Sequence, residues 1–91
     1  MKELPKNLNS YKKTAIFNQE TVPAGLLKAH STKPCTWGKI NITSGKLLYV
    51  IETEPLESIE LSPSRYGVVE PEVPHHVQPL GEVEFFVEFY K

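Results

Sequence analysis

Cysteine is nearly absent from the chain: Cys35 is the single example in 91 residues. An intrachain disulfide is excluded on that count, and a reducing cytoplasm is the expected compartment. An excess of one charge is missing too. Ten lysines and arginines stand against eleven acidic residues, a formal net charge of −1. A nucleic-acid binder needs a basic face to neutralise phosphates, and a polybasic membrane anchor needs clustered cations; neither partner is expected. Long apolar runs are lacking. No segment approaches the roughly 20 apolar residues of a membrane-spanning helix. The opening stretch, Met1 to Ser10, is polar and carries no apolar core of the signal-peptide type.

Helical periodicity is also missing, and the chain is punctuated instead. Eight prolines and five glycines fall mostly at the ends of short apolar runs, the rhythm of an all-β domain. The length suits one domain. Residues 1–12 are expected to form a polar arm and residues 13–91 a β-barrel domain. Lys13–Phe17 is expected as an edge strand, and Gly25–Thr32 as a second strand. Thr36–Thr43 and Lys46–Glu52 are expected to be two strands joined by a hairpin-like turn at Ser44-Gly45. Leu56–Leu61, Tyr66–Glu70 and His76–Gln78 follow as short strands. Glu82–Tyr90 has the clearest pattern, with Val83, Phe85, Val87 and Phe89 on one face and Glu82, Glu84, Phe86, Glu88 and Tyr90 on the other. Seven or eight such strands make a sandwich or a small barrel, and periodicity does not choose between them.

Two histidines stand out against this background. His30 and His76 are 46 residues apart, so they meet only if the chain folds back on itself. Paired imidazoles are a candidate metal site. His75 neighbours His76, and strand alternation sends it to the opposite face, where it is expected to be exposed. A shift of register by one residue would exchange the two. Cys35 follows Pro34 and reads as a small buried residue rather than a nucleophile.

The spacing around these histidines resembles the two cupin motifs, G-x5-H-x-H-x3-4-E-x6-G and G-x5-P-x-G-x2-H-x3-N. Gly25, His30 and Gly45 match the first, with Thr32 for its second histidine and Gly38 for its glutamate. Pro71 and His76 match the second, with Val73 for its glycine and Leu80 for its asparagine. A narrower match runs through Pro23-Ala24-Gly25-Leu26-Leu27, His30-Ser31-Thr32-Lys33, Thr36-Trp37-Gly38-Lys39, Gly45 to Tyr49, Glu70 to Val77 and Val87 to Tyr90. These segments resemble the small cupins related to tellurite resistance, the TehB N-terminal and YeaR-like family.

The resemblance implies an all-β, single-domain small cupin, a double-stranded β-helix closed as a jelly-roll barrel. It implies a divalent transition metal, zinc, iron or nickel, held by His30 and His76. The third ligand would be Glu88, because the last cupin strand passes near the second-motif histidine; the other reading of Glu88 is a solvated face shared with Glu82 and Glu84. Lys33 would attract an anionic ligand. Trp37 and Tyr49 would line the pocket, or else belong to the core. The function expected is binding of a small molecule or oxyanion in a stress response; the alternative is a metal-dependent oxygenase or isomerase. A homodimer covering an open sheet face is a further expectation. The 91 residues leave no room for a methyltransferase and hold no glycine-rich nucleotide loop, so chemistry dependent on S-adenosylmethionine is not expected in them.

Overall fold

The computed structural model describes residues 1–91. Its strands are β1 (Ser10–Lys13), β2 (Phe17–Asn18), β3 (Trp37–Ile51), β4 (Glu57–Leu61), β5 (Gly67–Val69) and β6 (His75–Tyr90). One turn of 3-10 helix, Ala24–Leu27, is the sole helical element. The six strands form one antiparallel sheet ordered β1-β6-β3-β4, with β2 also on β6 and β5 also on β3.

The frame is the long ribbon of β3 on β6, paired from Trp37 opposite Tyr90 to Ile51 opposite His75. Alternation builds it. On β6, Val77, Val83, Phe85 and Val87 are buried and Glu82 and Glu84 are exposed, so the inward phase expected for this segment is observed. On β3 the inward residues are Gly38, Ile40 and Ile42, then Leu47, Tyr49 and Ile51. The phase changes from even to odd between Ile42 and Leu47. The register shift between Ile42 and Ser44 produces that change, since one unmatched residue on β3 turns the following side chains to the other face; the second shift, between Gly45 and Leu47, leaves two extra residues on β6 and keeps the phase.

Ser44-Gly45 is therefore not a hairpin turn. Gly45 has φ +79, and a Cβ there would lie 2.1 Å from the Glu82 carbonyl oxygen, so an irregularity inside one continuous strand claims the glycine. The ribbon doubles over at this point. Tyr49, beyond the irregularity, donates its hydroxyl to the carbonyl oxygen of Val68, which pairs with the other half of β3, at 2.9 Å. Gly67 lies so close beneath Leu61, Tyr49 and Ile40 that a Cβ there would come within 3.4 Å of each. The core fills the space between the two halves, with Leu47, Leu61 and Phe85 at 0 % exposure.

The sheet is open, a correction to the closed jelly-roll barrel. β4 and β5 pair only with β3, and β1 and β2 only with β6, so two edges are left unjoined. The Gly25–Thr32 strand is not formed. Its first part is the 3-10 turn, and only His30 makes a bridge to the sheet. The polar arm engages the domain at both ends: Ser10–Lys13 is β1, the Met1 amino group pairs with Glu57, and the Met1 sulfur accepts the Val68 N–H at 3.1 Å. Cys35 is exposed rather than buried, in a loop where its own φ is +64. No helix is long and apolar enough to cross a membrane.

Candidate functional site

A cavity of about 770 Å³ opens between the two halves of the ribbon. Phe17, Leu26, Ile40, Val77, Phe85 and Val87 form its apolar wall. Its titratable side chains are His30, His75, Tyr11, Lys12, Lys33 and Lys91; no Asp or Glu side chain lines it.

The imidazole pair inside is His30 with His75, not His30 with His76. The two residues exchange backbone hydrogen bonds, His30 N–H to His75 O at 3.0 Å and His75 N–H to His30 O at 2.8 Å. Directly opposed residues of an antiparallel bridge put their side chains on one face. The ring centroids are accordingly 4.1 Å apart, with the planes tilted by 58°.

Each ring is oriented by its own chain. His30 Nδ1 lies 3.0 Å from the Lys28 carbonyl oxygen, and His75 Nδ1 lies 2.9 Å from that of Val73. A carbonyl only accepts, so each Nδ1 carries a proton, and in the neutral form of either ring the lone pair is on Nε2. Neither Nε2 has a partner within the chain, and no buried side-chain nitrogen or oxygen is left unsatisfied, so both face the cavity rather than a sealed core. Hydrogen bonding at one ring nitrogen to fix the other for a metal is the usual support of a histidine ligand. The edge of Tyr49 meets the His75 ring at 5.7 Å between centroids. Burial pushes the His75 pKa below the ordinary 6.5, and the neighbouring His30 and His76 push the same way, against the Val73 hydrogen bond and Glu52. His75 is thus held neutral at pH 7.

The remaining expected site residues are dispersed. His76 projects to the other side of β6, its Nδ1 2.9 Å from Glu52 Oε2. Glu88 accepts from Ser10 Oγ at 3.0 Å and lies 4.0 Å from Lys13 Nζ, on the outer face. Trp37, half-buried, sits opposite Tyr90 on that outer face. Tyr49 is 1 % exposed, and its hydroxyl is committed to Val68. Burial, with Glu70 and Glu57, raises the Tyr49 pKa, so the hydroxyl remains a donor. Lys33 alone of the expected ligand-binding residues lines the cavity. Nowhere do three His, Cys, Asp or Glu side chains converge as a metal-binding set.

The sequence places His75 outside, exchangeable with His76 only by a shift of register, because Pro79 and Gly81 divide the segment into two strands. β6 is continuous through them. Counting back by twos from Phe85 and Val83 reaches Val77 and His75, so the inward phase of the last strand contained the signal.

Comparison with known proteins fixes the family. The TehB-like domain matches residues 12–87. The chain belongs to the TehB-like domain family. It is 32% identical over 85 residues to the probable S-adenosyl-L-methionine-dependent methyltransferase TehB of Haemophilus influenzae, a match covering 88% of this chain and 30% of that protein. The chain therefore spans under a third of TehB. It is 23% identical to the uncharacterized protein YeaR of Escherichia coli K12, covering 99% of this chain and 83% of YeaR. The crystal structure of H. influenzae TehB superposes with a TM-score of 0.84 at 30% identity, over 93% of this chain and 32% of that one. A crystal structure of an E. coli K12 protein superposes at 0.87 and 21% identity, covering 100% of this chain and 97% of that one, and shows the shared fold.

Proposed function

We propose that this TehB-like domain is a cupin-like binding protein that holds a divalent transition metal in its cavity and, on that metal, a small anionic ligand. His30 and His75 are the two protein ligands, through Nε2, in place of His30 and His76. The observation that carries this reading is the paired imidazoles, each with Nδ1 committed to a backbone carbonyl and Nε2 turned to the cavity. Zinc, iron and nickel all accept neutral imidazole nitrogen. Two protein ligands leave the other coordination positions to water or to the ligand itself. Lys12, Lys33 and Lys91, with no Asp or Glu side chain beside them in the cavity, draw an anion toward those positions. The single cysteine and the tellurite-related family agree with a cytoplasmic stress-response role.

The chain's own residues bind, orient and exclude water; none is placed as a general acid or base, so binding is favoured over catalysis. Titration calorimetry of tag-free protein with zinc and nickel tests the reading. One equivalent bound by the wild type, and lost in both His30→Ala and His75→Ala, is the expected result. Equal uptake by all three proteins would sink it.

A further inference from the structure

Two of the cavity's hydroxyl groups are committed within the chain. Thr32 Oγ1 is bonded to the Thr36 carbonyl oxygen at 2.8 Å, and Thr14 Oγ1 lies 2.9 Å from the Ala15 carbonyl oxygen and accepts the Val87 N–H at 3.0 Å. The Nε2 atoms of His30 and His75, the hydroxyls of Tyr11, Ser31 and Thr36, and the three lysines remain. Lys12, Lys33 and Lys91 form no ion pair with any carboxylate; Lys91 instead lies over the Tyr11 ring, 4.5 Å from its centroid. Uncompensated cations thus adjoin an apolar wall that includes Phe17, Leu26, Val77, Phe85 and Val87.

A volume of about 770 Å³ lies in the range of cavities that take organic ligands of many atoms. A bare inorganic oxyanion is hydrated on every side and would face this wall without partners for its oxygens, which costs desolvation free energy. A carboxylate with an apolar body meets both requirements: its head meets the lysine cations, and its body displaces water from the wall. We propose that the pocket binds an organic monocarboxylate with an apolar chain or ring, in preference to an inorganic oxyanion. The assignment rests on the preceding reading for the site, since it names the ligand of the same pocket.

The test is calorimetry of tag-free protein, zinc-free and zinc-loaded, against acetate, butyrate, hexanoate and octanoate, with hexanamide, tellurite and phosphate as controls. Zinc uptake is measured separately. Affinity is expected to rise about fourfold per methylene, the fold-change that corresponds to burying one CH₂. Hexanamide is expected to bind at least tenfold more weakly than hexanoate, and Lys33→Gln with Lys91→Gln to narrow that gap. Chain-length dependence in protein that takes up no zinc supports the carboxylate and removes the metal. Zinc uptake with no dependence on chain length, or tellurite or phosphate bound more tightly than hexanoate, overturns the carboxylate and leaves the metal reading standing.

Discussion

His75 and His76 are adjacent in one strand and inhabit opposite environments. Inside the ribbon, His75 is 3 % exposed, tilted against the His30 ring, and hydrogen-bonded to the carbonyl of Val73. Outside, His76 is half-buried against the Glu52 carboxylate. Phe85 and Phe86 repeat the contrast ten residues on, the first fully buried in the cavity wall and the second half-buried outside. Strand alternation does this sorting, and the difference teaches where a ligand can bind. The inner face has the imidazole pair and free cations around an apolar void. The outer face has its histidine already matched to a carboxylate.

The largest expected effect breaks the inner wall. Phe85→Ala should cost about 3–5 kcal/mol in denaturant unfolding, from lost burial plus the cavity left behind. Phe86→Ala, half-buried, should cost well under half of that. Next comes metal linkage. At a hundredfold excess over its dissociation constant, zinc should stabilise the wild type and His76→Ala by about 2.7 kcal/mol. It should leave the thermal midpoint of His75→Ala unmoved.

These contrasts also explain what was legible in advance. The all-β class and the acidic outer face and apolar inner face of the last strand were readable, because side-chain period and turn residues report local geometry. The pairing partner of His30 was not. It depends on β6 running unbroken through Pro79 and Gly81, where local chemistry signals a stop and pairing with β3 overrides it. Gly45 misled for a similar reason: positive φ serves a turn and an irregular register equally, and only the partner strand distinguishes them. Glu88 was drawn to the site by likeness to closed barrels, whereas here it faces Ser10 and Lys13.

A smaller effect probes the seam between the halves. Tyr49→Phe removes the hydroxyl bonded to Val68 and should cost about 1–2 kcal/mol, with the Val68 carbonyl left unpaired. The smallest is a pH effect in metal-free protein. Because the folded state holds the His75 pKa below 6.5, the unfolded chain binds more protons just under that value. Stability should therefore fall as pH drops from about 6.5 toward the lowered folded pKa, and level off beneath it. Urea midpoints between pH 7 and pH 5 should show this decline in the wild type and in His76→Gln, and a shallower one in His75→Gln.

The central claim is that His30 and His75 act together through Nε2 while His76 stands apart. Long-range proton–nitrogen NMR of histidine-labelled protein during a zinc titration tests it most directly. The Nε2 resonances of His30 and His75 should move together and saturate at one equivalent, with Nδ1 protonated throughout and His76 unchanged. Movement of His76 with His30, or no movement of His75, would contradict the account.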